Sequence, residues 1–387
     1  MKKIFVTDGR SLAALAIARS LGEKGFEIHC GEEFKNSITS FSRYVKKNII
    51  YPSPGNDSEQ FINQILALIK SEHYEMIIPV RDETTLLFSK YKNEITKYTE
   101  LYLAEYDKIR RFRDKGETIK IAREIIPCPK TYFPEEISID EIKTLAKYPI
   151  LIRSRIGSGS RGILFVESPN KFDEAYINIK KKYGEPIIQE YVIKNGYCTA
   201  CILMDEKSNE IASFTYERVK EYPLSGGPTV TGVSCDNPIV KDSALRLLKS
   251  INWTGVAEVE FIIDQYGIPK LLEVNPRFWM PLHLAIKSGV DFPYLIYNLA
   301  NGEKKDPILS YKIGLKYRWV LPNEILWLIK TPNKVTGIKE FVNFFDSNTC
   351  YGDLSRSDPL PIIGILFQSL NFVLDSDKRK SIFKRGW

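Results

Sequence analysis

The stretch GVAEVEFIIDQYGIPKLLEVNPR, residues 255–277, decides the fold of this chain. Apolar and acidic residues alternate in it on both sides of a turn at residues 265–268. This period of two is typical of antiparallel β-strands with one face buried. The stretch therefore predicts a β-hairpin that has one acidic face and one apolar face. The residues predicted for the apolar core face are Val259, Phe261, Ile263, Leu272 and Val274.

The acidic face predicts a site for a divalent cation. With a symmetric turn, Glu260 faces Glu273 and Glu258 faces Asn275, and the alternation places these four side chains on one face. Like charges directly opposite each other destabilise a sheet, so the paired carboxylates need a cation. Carboxylate and amide oxygens suit Mg²⁺ that is held together with substrate phosphates. A solvent-facing acidic surface is the alternative interpretation.

A glycine-rich loop, GSGSRG at residues 157–162, is the second informative feature. The apolar segment 163–166 follows it and predicts a strand, whereas a dinucleotide-binding fingerprint would be followed by a helix. The loop therefore joins two antiparallel strands. Glycine has no Cβ, so the backbone N–H groups of such a loop can approach phosphates. Arginines at 153, 155 and 161 add positive charge. We interpret the loop as a phosphate-covering flap, with an ordinary surface hairpin as the alternative.

The N-terminal region alternates strand and helix signals. Short apolar segments at 4–6, 26–30 and 76–80 are predicted strands with helical segments between them. This βαβ rhythm predicts an open parallel sheet. Ligands bind such sheets at the C-terminal ends of the strands, where the loops 8–11 and 81–83 lie. Helix caps and solvated charges are the alternative interpretation of both loops.

Composition narrows the class of protein. The 387 residues include 55 Lys and Arg against 48 Asp and Glu, a net charge of +7, with 43% hydrophobic and 27% charged residues. These values are typical of globular enzymes, and no nucleic-acid partner is expected from so small an excess of basic residues. Six cysteines are too few for a disulfide scaffold and indicate a reducing compartment. The start of the chain has no apolar segment long enough for a signal peptide, and no segment is long enough to span a membrane, so we expect a cytoplasmic protein.

Together, these features resemble the ATP-grasp superfamily, in particular its carbamoyl-phosphate-synthase-like and biotin-carboxylase-like members. The resemblance covers residues 1 to about 302, and its specific signature is Glu260 followed by Glu273-Val274-Asn275-Pro276-Arg277. It implies a multidomain α/β and α+β fold. A Rossmann-like open parallel sheet, the pre-ATP-grasp domain, would occupy residues 1–107. The ATP-grasp domain would follow at 108–310, with a flap or lid subdomain at about 125–192. A small C-terminal extension packed on the core would occupy 311–387.

The resemblance also implies roles for individual residues. Lys115 matches the first phosphate-binding lysine, and Arg153 stands where the family has a second one. The residues implied for ATP binding are Lys115, Arg153, Gly157, Ser158, Gly159, Ser160, Gln189, Glu190, Tyr191 and Val192. The residues implied for catalysis are Arg277, Arg155 and Arg218. Those implied for Mg²⁺, or Mn²⁺ in its place, are Glu260, Glu273 and Asn275.

The function implied is that of an ATP-dependent ligase for a small-molecule carboxylate and an amine or ammonia. The carboxylate would attack the γ-phosphate to give an acylphosphate, and the amine would then displace phosphate to form an amide, ADP and Pi. Two alternatives remain open. One is other ATP-grasp chemistry, namely carboxylation or phosphorylation of a small molecule. The other is a nucleotide-binding scaffold that does not turn over. A homodimer also stays open.

The apolar segment Ile362–Leu374 lies beyond the part of the chain that carries the resemblance. As a helix its 13 residues would span about 20 Å, less than the roughly 30 Å of a bilayer core. We predict that it packs against the catalytic domains or forms a subunit interface. The alternative is peripheral membrane contact through residues 362–387, in which basic side chains meet anionic headgroups. Those basic residues are Lys378, Arg379, Lys380, Lys384 and Arg385.

Overall fold

The computed structural model describes residues 2–157, 162–224, 226–303, 306–344 and 346–374. Four residues of the predicted flap, Ser158, Gly159, Ser160 and Arg161, lie outside the described residues, as do the basic residues from 375 on.

A four-stranded parallel sheet forms the N-terminal region, in the order β3-β2-β1-β4. This confirms the predicted open parallel sheet. The helix α1 begins after Ser11, whose side chain accepts a hydrogen bond from the backbone N–H of Ala13. The elements here are β1 (Lys3–Val6), α1 (Leu12–Glu23), β2 (Glu27–Glu32), β3 (Val45–Ile50), α2 (Ser58–Glu72), β4 (Met76–Ile78), α3 (Asp82–Lys90), α4 (Lys92–Ile95), α5 (Tyr106–Arg113) and α6 (Lys115–Ala122).

A small antiparallel sheet follows, in the order β5-β8-β6-β7. Strands β6 and β7 flank the glycine-rich loop, as the sequence predicts. One side of this sheet packs on α7 and α8 around a separate apolar core. Its elements are β5 (Thr131–Tyr132), α7 (Ile139–Leu145), β6 (Ile150–Arg153), β7 (Ile163–Val166), α8 (Phe172–Tyr183) and β8 (Ile187–Glu190).

The largest sheet has seven strands in the order β13-β12-β9-β10-β11-β14-β15. Its last two strands come from beyond residue 310, since β14 pairs with β11 and β15 pairs with β14. The domain boundaries at 107 and 310 stay predictions. The elements are β9 (Lys194–Met204), β10 (Glu210–Glu221), β11 (Thr229–Cys235), α9 (Pro238–Ser250), β12 (Gly255–Asp264), β13 (Pro269–Asn275), α10 (Leu282–Lys287), α11 (Phe292–Ala300), β14 (Lys316–Arg318), α12 (Ile325–Lys330), α13 (Lys334–Val342), β15 (Thr349–Tyr351) and α14 (Pro361–Leu374).

The β12–β13 hairpin has the predicted register near the acidic residues and a different one nearer the turn. Glu260 pairs with Glu273, but the next residue, Phe261, pairs with Leu271. One extra residue on β13 makes a β-bulge there, and a bulge shifts the side-chain alternation of its strand. The prediction that Leu272 lies on the core face is therefore wrong. Leu271 is fully buried in its place, whereas Leu272 is only half-buried.

One buried ion pair lies within the C-terminal region, and a second attaches that region to the N-terminal part of the chain. The guanidinium of Arg318 on β14 donates to the Glu324 carboxylate at 2.9 Å, and neither side chain is more than 2% exposed. The Arg19 guanidinium on α1 likewise donates to the Asp358 carboxylate at 2.9 Å. The segment before α14 is thus connected directly to the N-terminal region.

Replacing Glu324 with alanine should reduce the free energy of unfolding by about 3–5 kcal/mol, because it leaves the buried Arg318 charge without its partner. Lys220, 3.4 Å from Glu324, would lose a partner as well. Urea denaturation measures the effect. Glu124→Ala is the matched control, since that carboxylate is 84% exposed and its removal should matter little. Equal losses in the two variants would contradict the prediction.

The buried carboxyl group of Asp353 should make stability depend on pH. Burial raises the pKa of Asp353 to about 6, although backbone N–H groups, including that of Leu321 at 2.6 Å, oppose the shift. The native state thus holds this proton at a pH where the unfolded chain has released it. The contribution of Asp353 to stability is fully present below the unfolded pKa of about 3.9. It is then lost at up to about 1.4 kcal/mol per pH unit as the pH rises to about 6.

The wild-type protein should therefore lose stability as the pH rises from about 4 to about 6, and Asp353→Asn should not show this loss. The measurement is the free energy of urea unfolding across that window, compared between variant and wild type. Asp107→Asn is the control, because the Asp107 side chain is largely exposed. Parallel pH curves for wild type and Asp353→Asn would contradict the assignment.

Candidate active site

Acidic and amide side chains line one face of the β12–β13 hairpin. Glu260 lies directly opposite Glu273, and Glu258 lies opposite Asn275. The amide nitrogen of Asn275 donates to carboxylate oxygens of both Glu258 and Glu260, each at 3.0 Å. The structure therefore brings together the three residues predicted to hold a metal, and the amide connects two of the three carboxylates on this face.

Cationic side chains neutralise the facing carboxylates. The Lys115 ammonium at the start of α6 lies 3.1 Å from a carboxylate oxygen of Glu273 and donates to the Gly157 carbonyl at 2.7 Å. The Arg218 guanidinium on β10 donates to the Glu260 carboxylate. Because each carboxylate has its own cation, the like charges can face each other across the hairpin.

Burial and neighbouring charges give the carboxyl groups different pKa values. Burial alone would raise the pKa of Glu273, but the Lys115 and Arg153 charges lower it to about 2. Burial, together with the neighbouring Glu260, raises the pKa of Glu258 to about 8. An ionised carboxylate and a carboxyl group that readily holds a proton thus lie on the same face.

Arg277 joins this face to the N-terminal sheet. Its guanidinium donates to the side-chain oxygen of Asn275 at 3.0 Å and to the Asp82 carboxylate at 3.0 Å. Asp82 opens α3, just after β4, at the C-terminal edge of the parallel sheet. Burial would raise the pKa of Asp82, but Arg277 and Arg113 hold it below its ordinary value. The arginine therefore fixes the hairpin relative to the edge where such sheets bind ligands.

A cleft opens between this sheet edge and the acidic hairpin. One wall is formed by acidic and basic side chains of the N-terminal region. The other wall is formed by residues of the β12–β13 hairpin and by Lys115. The charged and polar residues that line it are Asp82, Glu83, Arg113, Lys115, Glu273 and Asn275.

The connection between the two antiparallel sheets lies at residues 191–193, between β8 and β9. On β8, Gln189 accepts a hydrogen bond from the Arg153 guanidinium at 2.7 Å, and Glu190 accepts one from Lys270 at 2.7 Å. Tyr191 and Val192 lie in the connection itself, outside any strand. The side chains of Gln189 and Glu190 are thus held by protein partners, and the backbone of the connection follows them directly.

Two buried guanidinium nitrogens in the site have no hydrogen-bond partner among the described residues. They are the Nε atoms of Arg153 and Arg218. Burial lowers the pKa of Arg153, although the negative charges of Glu273 and Glu260 oppose the shift. Unpartnered buried donors are costly in the absence of a ligand. Unpartnered donors on cationic side chains fit a polyanion such as the phosphates of ATP.

The donor set also fits a hard divalent cation. Two carboxylates and one amide oxygen are the ligands that Mg²⁺ accepts alongside phosphate oxygens. Within the part of the chain that the structure describes, no group of three or more His, Cys, Asp or Glu could hold a metal ion by itself. A cation at Glu260, Glu273 and Asn275 would therefore share its coordination with phosphate.

One predicted catalytic residue lies apart from this cluster. The Arg155 guanidinium donates to three carboxylates, those of Asp114 at 2.9 Å, Glu117 at 3.3 Å and Glu135 at 2.8 Å. The structure does not bring it to Glu260 or Glu273. Its arrangement suits a residue that holds the start of α6, and hence Lys115, rather than one that meets a reacting group.

Sequence reasoning missed Arg113 as a member of the site. It placed Asp82 in a candidate ligand-binding loop, 81–83, at the edge of the parallel sheet, but not beside Arg277. Nothing in the local pattern connects that loop with Arg277, which is 195 residues further along the chain.

Comparison with known proteins identifies a domain family and a fold for this chain. The sequence profile of the ATP-grasp domain family matches residues 112–281. A biotin-dependent acyl-coenzyme A carboxylase alpha3 subunit from Mycobacterium leprae is 25% identical over 187 residues, which are 44% of this chain and 31% of that protein. The match thus spans about a third of the length of that curated relative.

Solved structures show the same fold over most of the chain. Biotin carboxylase from Campylobacter jejuni, in an ATP complex, superposes on this chain with a TM-score of 0.68 at 17% sequence identity. The superposition covers 81% of this chain and 74% of the Campylobacter jejuni chain. The biotin carboxylase domain of 2-oxoglutarate carboxylase from Hydrogenobacter thermophilus, a dimer with MgADP and bicarbonate, has a TM-score of 0.65 at 18% identity. This second superposition covers 81% of this chain and 73% of the Hydrogenobacter thermophilus chain. The chain therefore has the fold of biotin carboxylases and contains an ATP-grasp domain within residues 112–281.

Proposed function

We propose that this protein is an ATP-dependent ligase that activates a small-molecule carboxylate as an acylphosphate and transfers the acyl group to an amine or ammonia. The observation that carries the proposal is the paired Glu260 and Glu273 face, with Asn275 beside it. Lys115 and Arg277 adjoin this face where it borders the cleft. The match to the ATP-grasp domain family supports the use of ATP.

The residues of the chain supply mainly positioning and charge. Lys115 and the unpartnered Nε of Arg153 offer donors to the phosphates of ATP. Mg²⁺ bound at Glu260, Glu273 and Asn275 would neutralise phosphate charge. Arg277 contacts Asn275, which lines the cleft, and a guanidinium suits a carboxylate because its donors match both oxygens. Charge neutralisation of this kind is the main catalytic requirement of phosphoryl transfer.

Atoms balance in two steps. In the first, a carboxylate oxygen attacks the γ-phosphorus, the bond from that phosphorus to the β,γ-bridging oxygen breaks, and ADP leaves. In the second, the amine nitrogen attacks the acyl carbon, the acyl–oxygen bond breaks, and phosphate leaves while the amine loses a proton. The products are an amide, ADP and phosphate.

A screen for ADP and phosphate release tests the proposal, with pools of amino acids, sugar acids and amines as substrates. We expect release that requires a carboxylate and an amine together. With a carboxylate labelled with ¹⁸O, one labelled oxygen should appear in the released phosphate, because the acylphosphate bridges through it. Release of AMP and pyrophosphate, or unlabelled phosphate, would refute the acylphosphate route.

Carboxylation is the second candidate function, because the compared proteins are carboxylases by name. In that case bicarbonate takes the place of the carboxylate in the same two steps. The discriminating measurement is incorporation of ¹³C from labelled bicarbonate into the product. Incorporation favours carboxylation, whereas bicarbonate-independent turnover with an organic acid favours the amide ligase.

A further inference from the structure

Helix α14 packs on the protein through one of its faces. Ile365 is 2% exposed and lies in an apolar cluster with Leu12, Leu15 and Ile38. Gly364 lies so close to the backbone of Ile38 that a Cβ on it would come within 2.7 Å of the Ile38 Cα. The contact on this side is tight and complete.

The opposite face of α14 is apolar and exposed. Its side chains are between 39% and 72% exposed, and they follow one another at the spacing of a single helical stripe. The whole of α14 contains no charged residue. An apolar stripe of this kind is normally covered by another surface. The exposed residues are Ile363, Leu366, Phe367, Leu370 and Leu374.

Exposed apolar side chains are concentrated in this region of the chain. Of the 26 large hydrophobic side chains that are exposed among the described residues, 12 lie after residue 310. On α13, Val335, Ile338 and Val342 form a second stripe, with Lys334 and Lys339 exposed on the same helix. None of the described helices is long and apolar enough to cross a membrane.

The net charge of the chain is concentrated in the same region. Residues 311–387 contain 12 Lys and Arg against seven Asp and Glu, so they carry +5 of the total of +7. The segment after α14 combines basic side chains with apolar ones, among them Ile382, Phe383 and Trp387. Its basic residues are Lys378, Arg379, Lys380, Lys384 and Arg385.

We propose that the exposed face of α14 and the basic segment after it bind the surface of a membrane that contains anionic lipids. Apolar side chains on a surface helix enter the boundary between headgroups and acyl chains, and adjacent basic residues are attracted by anionic headgroups. The charge also favours this occupant over a second copy of the chain, since two copies would bring like-charged segments together. The proposal is independent of the ligase function.

Flotation of the full-length protein with lipid vesicles tests the proposal in the absence of nucleotide. We expect it to float with vesicles of phosphatidylcholine and phosphatidylglycerol, to stay behind with phosphatidylcholine alone, and to be released by high salt. Leu366→Ser with Leu370→Ser should weaken binding to the anionic vesicles by about tenfold or more. The matched control is Ile177→Ser with Ile239→Ser, which removes two aliphatic side chains exposed on α8 and α9.

A second variant separates charge from apolar contact. Replacing Lys378, Arg379 and Lys380 with glutamine changes no described residue, and it should reduce binding to anionic vesicles without affecting the free energy of unfolding. Equal binding to neutral and anionic vesicles would overturn the proposal. A dimer of the wild-type protein that Leu366→Ser with Leu370→Ser converts to a monomer, as seen by light scattering, would also overturn it. In that case a second copy covers the face.

Discussion

Replacing Glu273 with glutamine should reduce the rate of Mg²⁺-dependent ADP release by about a thousandfold, because the variant loses an anionic ligand of the proposed metal site, where we propose that phosphoryl transfer takes place. Glu273 is ionised throughout the physiological range, since Lys115 and Arg153 hold its pKa near 2 against the effect of burial. Glutamine keeps the size of the side chain and one oxygen, but it cannot neutralise the cation.

Steady-state ADP release at several Mg²⁺ concentrations measures this effect, with circular dichroism to confirm the fold. Glu217→Gln is the matched control, because Glu217 is an exposed carboxylate on β10, one residue before Arg218 and so on the other side of the sheet. Glu260→Gln should reproduce the loss if Glu273→Gln folds poorly. Wild-type rates in both site variants would contradict the metal assignment.

Replacing Arg277 with lysine should reduce kcat by about a hundredfold while the affinity for ATP changes little. The Arg277 guanidinium donates at once to Asp82, to Asn275 and to the Phe278 carbonyl, at 2.8 to 3.0 Å. An ammonium group keeps the charge but cannot span these acceptors with one planar fork. Both the relation of the hairpin to the N-terminal sheet and the donors offered to the substrate would therefore be lost.

Turnover and ATP binding by calorimetry, measured on the same preparation, separate this effect from general damage. Arg246→Lys is the control, because Arg246 is half-exposed on α9, where it forms a surface ion pair with Asp242 and donates to the Ile125 carbonyl. A weaker affinity for ATP with unchanged kcat would indicate that Arg277 acts in nucleotide binding and not at the reacting group. That result would contradict the proposed role.

The local part of the site could be predicted from the sequence because it depends on neighbouring residues. Alternation with a period of two and one turn suffice to place Glu260 opposite Glu273 and Asn275 opposite Glu258, as the register confirms. The bulge at Leu272 could not be predicted, because a bulge changes the register by one residue without a pattern of its own. The edge strand β3 was missed for a similar reason, since lysines interrupt its apolar residues.

The acidic hairpin, the glycine-rich loop between two strands and the parallel N-terminal sheet were determined by the sequence itself, since periodicity and turn residues act over a few positions. Only the tertiary structure decided which cation meets which carboxylate. Lys115 reaches Glu273, Arg218 reaches Glu260 and Arg277 reaches Asp82 across distant parts of the chain. It likewise decided that Arg155 donates to three carboxylates 20 to 41 residues away in the sequence, and that one apolar face of α14 is buried while the other is exposed. Such contacts depend on how sheets and helices pack together, and no local spacing encodes that packing.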